Sequence, residues 1–519
     1  MAAIITDQIR ILNAKNFISN VGVSAYYSFI ALPNPSDYQS DWDVNPPSPK
    51  DNFDQENDYW DTMVALKKIN SSDVRQVITK KFWSSGTIYD YYRHDYSRSN
   101  PAKISGATNL YSSTYYVINQ DYQVYICLQN GTNPDTPDGK PSLDEPMFTD
   151  LEPRSAGSSG DGYIWKYLYT IKPSEIVKFD SIEFIPVPEN WGIVGESISI
   201  KENSIDGKIH SVVIKQRGNN YEPASSTFTN IPILGDGSDG KVTVTTDSFG
   251  KVMDVYVTDG GQGYTNATIQ FSPGAPGLTT SLLNTGIGAT SLATFDVIIP
   301  PKGGHGYDIY RELGAYRVLV YSRYETLESN PDIISGNDFA RVGIIKNPTI
   351  LGSNTEILNT SLVSGLSALK FTGSATTATT YAVDSTITQT ISTGSTAIGF
   401  VASWDNITGV LKYYQPVGLG TTGVGYKINK FTSSPGSGGS LLITGSSMNG
   451  TTPLSISSGF SGISTIINNR TYQLGITFNS GIASAEYNKR SGEIIYIDNR
   501  SAIPRSSSQK EDVKIVLEF

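Results

Sequence analysis

The chain has 519 residues, with 39 Lys and Arg against 49 Asp and Glu, a formal net charge of −10. This acidic balance argues against a nucleic-acid partner, which wants a basic face, and a single cysteine, Cys127, excludes an intrachain disulfide and a multi-cysteine zinc or iron–sulfur site. With 49 Gly, 26 Pro and 31 Tyr, the composition excludes a helical bundle and points to turn-rich β structure.

At roughly 100–200 residues per domain, the length suggests three or four domains or one elongated multi-part subunit. Met1–Asn20 mixes charges among its apolar residues and does not read as a signal peptide. No run approaches the ~18–20 apolar residues of a membrane helix. The expectation is a chain made in a reducing cytosol, with no membrane insertion. Only 17% of residues are charged. Abundant Tyr on so weakly charged a chain suits protein interfaces, and equally suits the faces of β-sheets.

Ile5, Ile9, Leu12 and Phe17 follow helical spacing behind Asp7, a candidate cap. A strand-like run covers Val21 to Leu32, and Asn45-Pro46-Pro47-Ser48-Pro49 must be a loop. Trp60, Met63, Val64 and Leu66 suggest a short helix with Asp54 and Glu56 at its start, suiting the helix dipole. Ser71-Ser72-Asp73 then caps a second short helix through Ile78. From Tyr115 the pattern alternates as strands. Gly160-Asp161-Gly162 is a tight turn leading into the aromatic strand Tyr163–Tyr169.

Between 200 and 308 three copies of one pattern recur: Ile209–Tyr221, Val252–Tyr264 and Phe295–Tyr307. The closing tyrosines Tyr221, Tyr264 and Tyr307 are spaced by 43 and 43 residues. Each copy is a strand of β-branched residues, a Gly-rich turn and a Tyr, a repeated supersecondary unit sharing one core. Gly218, Gly261 and Gly304 are expected to supply positive φ, and Pro300-Pro301 marks the third copy as an exit from the array. Residues 351–470 hold only eight charged residues in 120, with Ser, Thr and Gly dominant. A low-complexity spacer and a small β domain compete here. Runs such as Ala397–Trp404 favour the β domain, with Ser434–Ser440 as a mobile loop. The strand Glu493–Asp498 and the alternating Val513, Ile515, Leu517 and Phe519 tie the C-terminus into a sheet.

Candidate chemistry is thin. GLGTTG at Gly418–Gly423 fits a dinucleotide fingerprint only in letters: a strand-like segment follows it, and no acid lies in the next 20 residues. The acidic loop with Asp135, Asp138, Asp144 and Glu145 fails the EF-hand spacing, since only Asp138 and Glu145 fit, which leaves at most a casual surface cation. His305 occupies the repeat position of Asn219 and Gln262, as a polar turn residue does. Cys127 lies in an apolar strand run, as a core residue does. No carboxylate pair stands in a glycosidase context. His94 lies among Tyr89, Asp90, Tyr91, Tyr92, Arg93, Asp95, Tyr96 and Arg98. Aromatics with arginines are interface chemistry. The expected interface residues are Tyr89, Tyr91, Tyr92, Arg93, Tyr96 and Arg98. No catalytic, cofactor or metal residue is nominated, and a non-enzymatic architectural or binding role follows.

Several strings, in order, resemble the baseplate wedge subunit (gene-eight product) of T-even-type contractile-tailed bacteriophages. They are Gly160-Asp161-Gly162-Tyr163-Ile164-Trp165-Lys166-Tyr167-Leu168, Phe184–Pro188, Asp338–Pro348, Ser491-Gly492-Glu493-Ile494-Ile495-Tyr496-Ile497-Asp498-Asn499-Arg500 and the closing Glu511–Phe519. The resemblance covers about 1–200, 308–350 and 480–519. It implies a mainly β fold with a few short helices, a multi-domain β-sandwich-like framework carrying two inserted β-rich segments. The framework would be 1–200, 308–350 and 480–519, with insertions at 201–307 (the repeats) and 351–479 (the Ser/Thr/Gly-rich block). The framework motif residues would be Gly160, Asp161, Gly162, Tyr163, Trp165, Tyr167, Gly492, Glu493, Tyr496, Asn499 and Arg500. It further implies a structural component of the virion tail baseplate, made in the host cytoplasm, that forms a homodimer and joins other baseplate wedge proteins. A receptor- or glycan-binding tail module and a tail-associated glycoside hydrolase are the alternatives.

Overall fold

The computed structural model describes residues 4–33, 41–272, 276, 291–325, 333–334, 338–372, 379–415, 429–450, 453–505 and 510–519, without the side chains of 53–55. The fold is mainly β, in antiparallel sheets, with a few short helices. No helix among the described residues is long and apolar enough to cross a membrane. Two compact units divide the chain: 1–16, 75–319 and 517–519 form one, and 17–74 with 320–516 form the other. The expected framework segment 1–200 is therefore shared between them.

In the first unit, strands Tyr116–Ile118, Gln123–Asn130 and Tyr163–Thr170 form an antiparallel sheet. Its register sets Cys127 opposite Trp165 and Asn130 opposite Tyr163. β-Branched and aromatic residues dominate the two outer strands, Tyr116–Ile118 and Tyr163–Thr170, as a pleated buried surface requires. Tyr115, Tyr125, Cys127, Trp165 and Leu168 are fully buried in the core this sheet carries.

The repeats have a core of their own, drawn from residues 209–297. Strand Ser211–Gln216 pairs with Thr294–Ile298, and Lys241–Thr246 lies between Thr227–Pro232 and Val252–Asp259. Tyr221 and Tyr264 are buried and do the same work. The Tyr221 hydroxyl donates to Phe271 O (3.0 Å) and accepts from Ala293 N (2.7 Å). The Tyr264 hydroxyl donates to Ile233 O (2.9 Å) and accepts from Gly240 N (3.1 Å). Gly218, Gly261 and Gly304 all have positive φ. Tyr307 instead is 46% exposed, so the third copy keeps the turn and loses the anchor.

In the second unit a five-stranded antiparallel sheet runs in the order Leu362–Ser364, Met63–Ile69, Tyr26–Ala31, Asp338–Lys346, Glu493–Pro504. Two of the family-like strings thus lie side by side, with Lys346 opposite Glu493 and Arg341 opposite Asn499. Leu362–Ser364 belongs to this sheet, so the sheet boundary lies later than residue 351. A seven-stranded sheet follows from the Ser/Thr/Gly-rich block, over a core that includes Phe371, Ile387, Val401, Leu411 and Ile443. Ser434–Ser440 is a loop tied back to the strand Thr386–Ser392 and the turn after it, through Gly436 N to Ile391 O, Ser440 N to Thr390 O and Thr393 N to Ser437 O.

Two local expectations are corrected. Met63, Val64 and Leu66 lie on the strand Met63–Ile69; the helix ends before them at Thr62. A short apolar run has no period of its own, and here strand partners on both sides decide it. Ser71–Asp73 is a single 3₁₀ turn, followed by the strand Val74–Thr79. Val74, Val77 and Ile78 are β-branched and buried in that strand.

Candidate interaction surfaces

The tyrosine–arginine segment is not the exposed patch its composition suggests. Tyr89, Tyr91, Tyr92 and Arg93 are buried, Tyr96 is half-buried, and only Arg98 of the six expected interface residues is exposed. The segment runs along the sheet of the first unit. Tyr92 N donates to Cys127 O (2.8 Å), Tyr89 N donates to the Tyr163 hydroxyl (3.0 Å), and Asn130 Nδ2 donates to Tyr89 O (2.9 Å). Burial raises the Tyr91, Tyr92 and Tyr96 pKa values.

Arg93 tolerates burial because its guanidinium makes four hydrogen bonds. It donates to both Asp95 oxygens (2.8 and 2.9 Å), to Asp296 Oδ2 (2.6 Å) and to the Tyr91 hydroxyl (3.0 Å). A buried charge is held only when paired and hydrogen-bonded. His94, beside it, accepts from Ile299 N at Nδ1 (3.2 Å), and burial lowers its pKa.

The framework motif Gly160–Tyr167 is a turn and a core strand. Gly160 and Gly162 have φ of +70 and +84. Asp161 caps the turn, accepting from Tyr163 N (3.0 Å) and Leu143 N (2.9 Å). Tyr163 stacks on Trp165 with centroids 5.3 Å apart, and Tyr89 meets Trp165 edge-on at 5.9 Å. Tyr167 is buried, with its hydroxyl 2.7 Å from Thr170 Oγ1 and 3.0 Å from Glu196 Oε2.

The second motif, in the second unit, opens at Gly492 with φ +82, where a Cβ would lie 2.4 Å from Lys346 O. Glu493 and Arg500 are exposed, and Tyr496 is half-buried. Asn499 is buried and bridges: its Oδ1 accepts from Arg341 Nε (2.9 Å) and its Nδ2 donates to Pro47 O (2.8 Å). Arg341 lies 5.5 Å from the Trp42 ring and 5.0 Å from the Tyr59 ring.

Other sequence candidates fall apart in space or into the core. Cys127 is buried, and burial raises its pKa well above the ordinary value. Asp135 pairs with Arg217 (2.6 Å), Asp144 accepts from Ser159 N (2.9 Å), and Glu145 accepts from Gln120 N (3.3 Å). No group of three His, Cys, Asp or Glu residues able to hold a metal ion occurs among the described residues. Gly418–Gly423 lies outside the described residues. His305 is a turn residue, as the repeat alignment requires, but a buried one. Its Nδ1 lies 2.5 Å from Glu312 Oε1, and Tyr92 meets its ring edge-on at 4.7 Å. The repeat equivalence with Asn219 and Gln262 hides this pair. Glu312, seven residues on, is the only signal of it in the sequence.

Exposed apolar residues were missed on the helix Asp7–Val21 and in the short segment just before it. Ile4, Ile5, Ile9 and Leu12 are 84%, 74%, 49% and 54% exposed, while Ile11 and Ala14 are buried. The spacing predicts the helix, yet it turns the opposite side inward. Arg10 and Lys15 fix that rotation within the first unit: Arg10 lies 3.8 Å over the Tyr316 ring and pairs with Glu518 (2.6 Å), and Lys15 lies 4.3 Å over the Tyr310 ring.

A β-rich chain whose most aromatic segments are spent on its own cores, and whose candidate chemistry is scattered, has the character of an architectural subunit. The family model described as Phage-Gp8, Bacteriophage T4, Gp8, matches residues 3–142. The match supports a T4-type baseplate wedge subunit, a structural component of the phage tail baseplate found in the virion among other baseplate proteins. The strings at Gly160–Leu168, Asp338–Pro348 and Ser491–Arg500 lie outside the matched span. No curated protein matches the chain.

Proposed function

We propose that this chain is a non-enzymatic wedge subunit of a contractile tail that joins neighbouring wedge proteins and pairs with a second copy of itself. The carrying observation is the uncovered apolar pair Ile9 and Leu12 on the N-terminal helix, with exposed Ile5 just ahead of it, inside the matched span. On the helix, Ile9, Leu12 and Asn16 are spaced 3 and 4 residues apart, the repeat of a two-stranded helical seam. Ile9 and Asn16 fall at one position of that repeat and Leu12 at the other. Ile with Leu favours two strands, and one Asn sets their register.

The flanking Thr6, Gln8 and Asn13 are exposed and uncharged, so two copies meet without like-charge repulsion. Covering an exposed Ile or Leu is worth about 1.5–3 kcal/mol per side chain. Obligate interfaces bury roughly 2,000 Å² or more, so this pair is the centre of a larger contact.

The test is the mass of the full chain by sedimentation equilibrium, for wild type and Ile9→Lys/Leu12→Lys. A wild-type dimer and a variant monomer with unchanged melting are expected, because both side chains already face water. A wild type that stays monomeric at tens of micromolar overturns the pairing. A variant that stays dimeric overturns the helix as its seam. Loss of capture of other wedge proteins by the same variant would extend the surface to those partners.

A further inference from the structure

Each of the three repeat turns presses a glycine against one backbone N–H. A Cβ on Gly218 would lie 2.6 Å from Ala293 N, one on Gly261 2.5 Å from Gly240 N, and one on Gly304 2.9 Å from Ile205 N. In the first two copies the closing tyrosine completes a clasp. Its hydroxyl accepts from that N–H and donates to the carbonyl of a second passage of chain, Phe271 O for Tyr221 and Ile233 O for Tyr264. Both carbonyls belong to large apolar residues that are buried. Phe271 packs on the Tyr221 ring at 4.6 Å.

The third copy, in the same unit, holds half of this arrangement. Ile205 stands where Ala293 and Gly240 stand, and no second passage covers it. The Ile205 N–H and the Tyr307 hydroxyl make no hydrogen bond among the described residues, and the Tyr307 ring is exposed. Two polar groups that the other copies satisfy internally are thus open to an incoming chain. Apolar surface adjoins them: Ile193, Val194, Ile198 and Ile205 are all exposed. Trp191 Nε1 donates to Gly306 O (2.9 Å), and the Lys201 stem lies over Gly192 with its ammonium 5.2 Å above the Tyr307 ring, which brings Ile193 and Val194 beside that ring. Clustered exposed apolar side chains around an aromatic with unused polar groups are the make-up of a protein contact.

We propose that an extended segment of another baseplate protein completes the third clasp. The segment lies along Ile205 and accepts at one carbonyl from the Tyr307 hydroxyl. A large apolar residue beside that carbonyl covers the Tyr307 ring, as Phe271 covers Tyr221, and its neighbours cover Ile193, Val194 and Ile198. Main-chain hydrogen bonds with apolar cover are how a strand is added to an open edge. The choice of a baseplate protein as occupant rests on the proposed role as a wedge subunit; the clasp itself does not.

Two measurements test this. The first is a titration of the full chain with a peptide copying Thr227–Gly235, the passage that delivers Ile233 O to Tyr264. Binding at millimolar concentration or tighter is expected, about tenfold weaker in Tyr307→Phe. That variant should melt as the wild type does, because the hydroxyl it removes holds nothing. No binding by the wild type, or equal binding by Tyr307→Phe, overturns the clasp. The second places p-benzoylphenylalanine at position 194 of the full chain in assembled tail particles and maps the cross-linked residue. A cross-link to an extended apolar segment of a different baseplate protein, lost in Tyr307→Asp, is expected. A cross-link only to this chain's own sequence, or none in particles that contain the chain, overturns the proposed occupant. Particles that lack the chain overturn the wedge role and with it this occupant, and leave the peptide titration to decide the clasp.

Discussion

Gly162 and Gly131 pass so closely that neither accepts a side chain: a Cβ on Gly162 would lie 2.9 Å from Gly131 Cα, and one on Gly131 would lie 2.9 Å from Asp161 O. Gly162→Ala therefore meets two penalties, a φ of +84 and a backbone contact. It should cost about 2–4 kcal/mol, read from the denaturant midpoint. Gly160→Ala carries the φ penalty alone, since nothing lies within 4 Å of its Cβ position. Its cost should be nearer ~1 kcal/mol. Equal losses at the two positions would remove the close approach as the cause.

Arg93→Ala should destabilise the isolated protein. It strips a buried guanidinium from Asp95 and Asp296, and Asp296 is itself largely buried. The cost should be about 2–3 kcal/mol, between that of exposed and fully buried pairs. Tyr92→Ala should cost about 3–5 kcal/mol as a core truncation. Arg98→Ala, at the surface, should leave melting unchanged. Thermal melts of the three variants decide the matter: an unaltered melt for Arg93→Ala would return this segment to the surface.

Lys81 supplies a pH signature. Its ammonium donates to Ser113 O and lies 4.1 Å over the Tyr116 ring. Burial brings its pKa from 10.5 down to about 7, against the pull of Asp90. Below pH 7 the folded and unfolded states both hold the proton, and the burial penalty is fully present. Between pH 7 and 10.5 the unfolded state holds more protons, so stability rises with pH. Lys81→Met lacks this dependence. The wild type should gain on the variant as pH is raised from 7 to 10, by at most ~1.4 kcal/mol per pH unit. A stability difference independent of pH would show that the Lys81 ammonium is solvated.

Asn499→Ala should be worse than its small volume suggests. It leaves Arg341 Nε and Pro47 O without the side chain that now satisfies both. A loss of about 2–4 kcal/mol is expected in a urea titration, from two unsatisfied buried groups. Asn499→Asp, which keeps the acceptor for Arg341 and loses the donor to Pro47, should recover part of it. If Asn499→Asp is as unstable as Asn499→Ala, the arginine contact contributes nothing.

Local regularity was legible in the sequence, and long-range partnership was not. The alternation of Tyr163–Tyr169 and the recurrence of Tyr221 and Tyr264 are written in neighbouring residues, and both give the strands and anchors observed. The helix from Asp7 was legible in its spacing, but its rotation depends on Arg10 and Lys15 meeting Tyr316 and Tyr310, some 300 residues away. Arg93 looked like an interface residue because its counter-ion Asp296 stands 203 positions later. The surface at Tyr307 draws on Val194 and Ile205, more than 100 residues earlier, and no single stretch of sequence carries its pattern.

The strand Tyr26–Ala31 is buried at all six residues, between Met63–Ile69 and Asp338–Lys346. A ribosome delivers the first neighbour promptly. At ~5–20 residues per second it delivers the second roughly 15–60 s later. Through that wait an apolar edge of the nascent chain stands open to a chaperone, or to the same edge of a sister chain on the polysome. High-level production should therefore be limited by how well the host shields this one edge.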